Sequence, residues 1–306
     1  MTDARRPGNP DAEAGMRDSQ RPERWQQGSF ARPEWRAIDN AQQHGGHTVE
    51  LFYEVHDGQG PYLLLVHGFL SSRAQWSPNI AALARVTRPV VVELLGHNRS
   101  PAPDDPDPYH PTAYVTAFEQ LRQQLGAESW FVCGQSLGAA LTMRYALTYP
   151  SHVRAQIFTN SSAALADVAW LEARRASALE QATGIESEGH AALEKLRVHP
   201  IHARRLPAEV HAALLADAQH HTPRGIARTL RYTTPNAPVR DRLPELQVPT
   251  LLVWGEREKR FEANRYFAEQ AIPDLQVVGT PAGHAVNIEA AEAFNTAVCH
   301  FVHQYT

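Results

Sequence analysis

The stretch that decides the fold is Trp130-Phe131-Val132-Cys133-Gly134-Gln135-Ser136-Leu137-Gly138-Ala139-Ala140-Leu141-Thr142-Met143. An apolar run with strand character stops at Gly134, and a helical pattern rich in Ala and Leu begins just after Ser136. Between them, small residues stand two positions either side of a serine, as a sharp strand-to-helix turn needs. The strained backbone of such a turn lifts the hydroxyl into the open, and the glycines leave room for it. The helix starting beneath Ser136 turns its positive end and free N–H groups toward any negative charge built there. Five positions with three fixed also arise by chance, so the weight of the pattern comes from the strand before it and the helix after it.

Outward from this turn the chain alternates. Thr48–Val55 mixes apolar and polar residues in strand fashion, and Asp57-Gly58 signals a turn. Tyr62–Val66 is a short continuous apolar run, the mark of a strand buried on both faces, and it ends in His67-Gly68-Phe69-Leu70. A helical stretch near Pro78–Ala84, a strand at Val90–Leu94 and the loop Gly96-His97-Asn98-Arg99-Ser100 follow. Pro111–Leu125 has helical spacing, and Trp130–Cys133, Ala155–Asn160, Thr250–Gly255 and Leu275–Gly279 read as strands. A closing helix runs from about Ala290 to His303. Strands alternating with helices predict an α/β fold with a mostly parallel central sheet flanked by helices. Residues 161–240 break the alternation with helical patterns at Ala164–Gln181, Gly189–Leu196, Pro207–His220 and Pro223–Tyr232. We expect there a helical insertion acting as a lid over the carboxyl ends of the strands, where open α/β sheets bind ligands. The expected division is an arm over 1–45, a core over 46–160 and 241–306, and the lid over 161–240. Residues 1–45 are low in apolar content, as mobile segments are, although Trp25, Phe30 and Trp35 could pin part of them.

Composition narrows the function classes. The chain has 306 residues, 43% of them hydrophobic, and a formal net charge of −4, so it carries no basic footprint for nucleic acid. No apolar run approaches a membrane span, and no apolar stretch follows Arg5-Arg6 as in a secretory signal. Cys133 and Cys299 ask for no disulfide, and a cytoplasmic setting is expected. Sixteen histidines suggest metal, but no HExxH, CxxC or tight cluster is present, so most are expected on surfaces or helices.

Four blocks carry a resemblance: His67-Gly68-Phe69, Gly134-Gln135-Ser136-Leu137-Gly138, Gly255-Glu256-Arg257-Glu258 and Gly283-His284-Ala285-Val286-Asn287-Ile288-Glu289. With them, residues 47–305 resemble the α/β-hydrolase family, whose chain order is nucleophile, acid, histidine. The resemblance implies Ser136 as nucleophile, His284 as base and an acid in the turn after Gly255. Family members usually carry Asp three residues beyond that glycine; here the position is Glu258, with Glu256 as its close rival. Asn160 and its neighbours offer no carboxylate for the alternative place after the preceding strand. The implied oxyanion hole is the N–H groups of Phe69 and Leu137, with Phe69 and Leu70 also presenting apolar surface to a substrate. His67 reads as a brace for its loop, and Asn98, standing where the family has glycine, as structural.

A serine, a base and an oxyanion hole fit acyl transfer to water, so the resemblance implies hydrolysis of a small-molecule ester, thioester or lactone with no cofactor. An insertion rich in Ala and Leu, with Trp170 and Tyr232, hints at a small to medium apolar substrate. The chain is also similar to the menaquinone-pathway synthase and to carbon–carbon hydrolases, and a few relatives of the fold act as small-molecule receptors. That synthase has an arginine closely following its serine turn; Ala139, Ala140 and Leu141 stand there instead.

Overall fold

The computed structural model describes residues 34–36 and 50–306. Eight strands form one sheet: β1 (Glu34–Arg36), β2 (Tyr53–Val55), β3 (Tyr62–Val66), β4 (Arg88–Val92), β5 (Trp130–Gly134), β6 (Val153–Phe158), β7 (Thr250–Gly255) and β8 (Gln276–Thr280). Their spatial order is β1-β2-β4-β3-β5-β6-β7-β8. The β1–β2 and β2–β4 pairs are antiparallel, and every pair from β4 through β8 is parallel.

The apolar runs explain the layering. Leu63, Leu64, Leu65 and Val66 are all fully buried because β3 has helices on both faces. Side chains alternate between those faces, as a strand's period of two requires. Leu64, Val66 and Val132 join one core with residues of the helices Pro111–Gln124 and Leu137–Thr148. Leu63, Leu65, Phe131 and Cys133 join the other, against Trp76, Leu83 and the helix Ala291–His303. The chain steps from β3 outward to β4 and then returns to β5 on the other side of β3. Such a reversal opens a crevice at the carboxyl ends of the strands, here between the loops after β3 and β5.

Several boundaries differ from the sequence expectation, among them β6, which ends at Phe158 rather than Asn160, and β8, which runs one residue later. Three residues placed in the arm form β1, and the rest of 1–45, with Thr48 and Val49, lies outside the described residues. β4 begins at Arg88 and stops at Val92, because Glu93 and Leu94 donate their N–H groups to the Phe52 carbonyl and to His67 Nε2 instead. Between β6 and β7 the described residues form helices and turns and no strand: the helices are Val168–Glu188, His190–Lys195, Ala208–Ala218 and Pro223–Arg228, and Thr229–Thr233 is a π turn. This insertion docks on the core through two apolar clusters. One joins Leu70 to Ala182, Ile185, Leu193, Ile226 and Leu230; the other joins Ala74 and Ile288 to Val210 and Leu214. No helix of the described residues is long and apolar enough to cross a membrane.

A buried polar network fixes the helix that follows Ser136. Trp130 Nε1 donates to the Tyr145 hydroxyl at 3.2 Å, and that hydroxyl donates to Glu119 Oε2 at 2.9 Å. Arg122 completes the site with bonds of 3.0 and 2.6 Å to the two Glu119 oxygens. Burial alone would raise the Glu119 pKa, but Arg122, Tyr145, Gln123 and His152 outweigh it and hold the carboxyl down to about 2. A depressed carboxylate stabilises the fold above its ordinary value of 4.5, and the contribution disappears as pH falls toward 2. We therefore predict that Glu119→Gln costs about 2 kcal/mol at neutral pH, as loss of a charged hydrogen bond does. Urea titrations at several pH values check this, and the variant's stability should fall less steeply in acid than that of the wild type.

Candidate active site

Ser136 stands between β5 and its helix with φ 54° and ψ −115°. A non-glycine residue there carries strain of about 1–3 kcal/mol and persists only when its surroundings hold it. The hold is tight packing of backbone. A Cβ on Gly138 would sit 2.2 Å from the Val66 carbonyl oxygen, and one on Gly134 would sit 2.4 Å from the Gly138 carbonyl. Hydrogen bonds add to it: Gly138 N–H donates to the Gln135 carbonyl at 2.9 Å, and the Ser161 hydroxyl donates to the Ser136 carbonyl at 2.5 Å.

The loops after β7 and β8 meet beside this turn. Gly255 lies so close to Gly283 that a Cβ would stand 1.9 Å from the Gly283 carbonyl oxygen. This approach brings Glu258 and His284 together: His284 Nδ1 donates to Glu258 Oε2 at 2.9 Å. With Nδ1 engaged by a carboxylate, Nε2 is the ring nitrogen left to accept a proton. Gln135, the neighbour of Ser136, donates its side-chain amide to the His284 carbonyl at 3.3 Å and so links the histidine loop to the serine turn. The His284 side chain is 45% exposed and that of Glu258 is 13% exposed. Burial pushes the Glu258 carboxyl up, but the hydrogen bond and charge of His284 and the amide of Asn160 outweigh it and leave its pKa below the ordinary value. Glu256 is exposed, with its carboxylate beside Gly279 of β8 rather than at His284.

Above the serine runs the loop after β3. A Cβ on Gly68 would lie 3.1 Å from Ser136 Cβ, so the backbone leading into Phe69 passes close beside Ser136. Leu137 opens the helix, where an N–H has no intrahelical partner. Leu70 departs from expectation: it is 1% exposed, packed under the insertion, and has a φ of 56°.

Most of the described histidines are at least partly exposed, as expected, while His67, His97, His199 and His221 are buried. His67 Nε2 accepts from Leu94 N–H at 3.0 Å while Nδ1 bonds the Gly68 carbonyl at 2.7 Å. His97 repeats the pattern, with Nε2 accepting from Leu70 N–H at 3.2 Å and Nδ1 bonding the Leu95 carbonyl at 3.0 Å. An imidazole that donates from one nitrogen and accepts at the other is neutral. Burial and the neighbouring His97 lower the pKa of His67 to about 3, and burial lowers that of His97 to about 4. Both brace the loop carrying Phe69. His221, from the insertion, packs edge-on against His97 at 5.1 Å and accepts from Asn98 N–H at 3.0 Å.

Sequence reading passed over Asn160 and Ser161 except as a place without a carboxylate. Asn160 donates to Glu258 Oε2 at 2.8 Å and accepts from Gly255 N–H at 2.9 Å. The available signal was a polar run, Thr159-Asn160-Ser161, directly after the apolar pair Ile157-Phe158 that ends β6. Two clefts, of 660 and 550 Å³, open elsewhere, and neither is lined by Ser136, Glu258 or His284. Arg224, Arg228 and Arg231 line the first, but Asp104 and Glu186 pair with their charges. Among the described residues no group of three His, Cys, Asp or Glu side chains is placed to hold a metal ion.

Comparison with known proteins agrees with this fold. The family model described as alpha/beta hydrolase fold matches residues 61–291. A carboxylesterase of Bacillus subtilis is 27% identical over 249 residues, 79% of this chain and 80% of its own length. A putative 2-succinyl-6-hydroxy-2,4-cyclohexadiene-1-carboxylate synthase of the same organism is 24% identical over 246 residues, 78% of this chain and 89% of its own. Among solved structures, the enol-lactonase of Burkholderia xenovorans LB400 superposes with a TM-score of 0.70 at 24% identity, covering 83% of this chain and 96% of that one.

The close approach at Gly138 yields a direct expectation. Gly138→Ala forces a methyl group onto the Val66 carbonyl, and we predict a loss of about 3 kcal/mol, as overpacking of a rigid site does. Chemical denaturation should read it as a lowered midpoint with an unchanged slope.

Proposed function

The chain belongs to the alpha/beta hydrolase family, and on that premise we propose that it is a serine hydrolase cleaving the carboxylic ester, thioester or lactone of a small to medium apolar substrate. The single observation carrying this reading is the 2.9 Å bond between His284 Nδ1 and Glu258, set beside a strained serine turn whose neighbour Gln135 grips the histidine loop.

In the proposed reaction His284 Nε2 takes the Ser136 proton as Oγ attacks the substrate carbonyl carbon. Negative charge moves to the carbonyl oxygen, which the N–H groups of Phe69 and Leu137 receive, aided by the amino end of the helix Leu137–Thr148. His284 then returns the proton to the leaving oxygen or sulfur as its bond to carbon breaks, giving an acyl-enzyme. Water repeats the sequence: His284 takes its proton, hydroxide adds to the acyl carbon, and the bond to Ser136 Oγ breaks as that oxygen regains a proton. Glu258 keeps the imidazole in the right tautomer and stabilises its cation. The insertion serves as the lid, and its apolar docking cluster, with Phe69 packed against it, supports an apolar substrate. A polyanionic substrate finds no guanidinium at Ala139, Ala140 or Leu141, which are fully buried.

A panel of p-nitrophenyl esters and thioesters of graded acyl length tests this. Ser136→Ala should reduce turnover by about 10⁴-fold or more, and Glu258→Gln by about 10²–10⁴-fold. Glu256→Gln should stay close to wild type. Pyruvate release without ester turnover would point instead to the synthase-like lyase, tight binding without turnover to a receptor, and a larger loss from Glu256→Gln than from Glu258→Gln would overturn the acid assignment.

A further inference from the structure

We propose that the consecutive residues Asn160 and Ser161, at the carboxyl end of β6, jointly position the two halves of the site: Asn160 seats Glu258 against His284, and Ser161 pins the turn at Ser136. The proposal rests on the serine-hydrolase reading and deepens it.

The parallel ladder between β6 and β7 has its last pair at Phe158 and Leu252. Beyond that pair the side chain of Asn160 takes the place of the missing backbone partner. Its Oδ1 accepts from Gly255 N–H at 2.9 Å, and its Nδ2 donates to the Gly255 carbonyl at 3.2 Å. The second hydrogen on Nδ2 reaches Glu258 Oε2 at 2.8 Å, the same oxygen that accepts from His284. One acceptor and two donors are used, which is the full donor set of an amide. An ionised aspartate in place of Asn160 would supply no donor, and alanine would leave the Gly255 N–H unpaired in a buried place. Asn160 is fully buried, so each of these bonds is shielded from water.

Ser161 faces the other way. Its hydroxyl donates to the Ser136 carbonyl at 2.5 Å and accepts from Ala164 N–H at 3.1 Å. The carbonyl it holds belongs to the residue with positive φ, so this bond resists relaxation of the turn that presents the nucleophile. Glu258 and Ser136 come from distant parts of the chain, yet both are referenced to groups one peptide apart just beyond the end of β6. Asn160 and Ser161 are positioning residues, since neither is placed to touch the reacting atoms.

The charged groups around Glu258 define what a pH experiment reads. His284 comes from the loop after β8, and Arg260 stands two residues along the acid's own turn. Arg257 is paired with Glu289 at 3.1 Å, and Glu256 lies at Gly279. Removing the Asn160 donor makes Glu258 a stronger base, and a carboxylate in its place adds like charge. In either case the His284–Glu258 pair holds its proton more tightly, and the acid limb of the rate profile moves to higher pH.

The test uses the full-length chain and a fluorophosphonate probe, with labelling of Ser136 followed by intact mass across pH, beside hydrolysis of p-nitrophenyl acetate. Asn160→Asp, which keeps the side chain's shape, should move the acid limb of labelling upward by about one pH unit. Asn160→Ala should move it in the same direction by less, and it is the second variant should Asn160→Asp fold poorly. Ser161→Ala should lower kcat about tenfold, the worth of one net hydrogen bond, with KM and the acid limb unmoved. A loss of folded protein alone would lower amplitudes and leave the limb in place. Folded Asn160 variants with an unmoved limb, or Ser161→Ala at full rate, overturn the proposal. A wild type that neither labels nor hydrolyses overturns the hydrolase reading and this proposal with it.

Discussion

How closely the helix Leu137–Thr148 can approach the end of β3 governs the carboxyl edge of the sheet. The Gly138 Cα lies against the Val66 and His67 carbonyls, with no room for a side chain. That approach fixes where the helix begins, and the start of the helix forces Ser136 into its positive-φ conformation. About 1–3 kcal/mol of strain is small beside the burial around it. Each fully buried Leu or Val of β3 contributes about 1.5–3 kcal/mol, and four such residues in a row stand beneath the turn. The sheet can therefore hold the serine strained without risk to the fold. The same contact aims the free N–H groups of the first helical turn at the crevice between β3 and β5.

Electrostatics around the crevice sort buried titratable groups into two kinds. His67 and His97 are neutral because each backbone partner set asks for one donor and one acceptor, and burial rejects the charge. Glu93, fully buried near the same loop, is pushed up to about 7: burial exceeds the help from Arg99 N–H, Asn98 and Arg73, and Asp217 adds repulsion. Glu258 is less deeply buried, with its side chain 13% exposed, and His284 and Asn160 both donate to its Oε2, so it ends below its ordinary value. Two acids on one rim of the sheet thus shift in opposite directions, through their depth as well as their neighbours. His284, by contrast with the fully buried His67, keeps its side chain partly in water.

What could be read from the chain follows from which interactions are local. Tyr62–Val66 and Trp130–Gly134 announce buried parallel strands because burial on both faces erases polar residues. The Gly134-to-Gly138 pattern is legible because strand, turn and helix are contiguous. Glu258 could be favoured over Glu256 because the family resemblance places the acid three residues beyond Gly255, and in the structure Glu258 is the one that meets His284. Asn160, Ser161, His97 and His221 were not legible. Their work is done by single hydrogen bonds to backbone or side-chain atoms far along the chain, and no periodicity encodes such a partner. Leu70 was misread for a related reason: an apolar residue after a glycine looks free to face a substrate until the insertion is seen to cover it.

The insertion is correspondingly more than an appendage to the sheet. It supplies the apolar cluster that buries Leu70, the Asp217 carboxylate that accepts from the Ser72 hydroxyl at 2.7 Å, and the His221 ring that accepts from Asn98 N–H. All three contacts fall on the segments that frame Gly68 and Phe69. Leu70 pairs a φ of 56° with an almost wholly buried side chain, and a bulky residue keeps such a backbone only under tertiary restraint. Stripping the insertion away would remove that restraint and leave the bond from the Leu70 N–H to His97 without the packing around it. The loop over Ser136 is therefore a joint product of sheet and insertion, and the core cannot be expected to keep its shape there without the helices that follow β6.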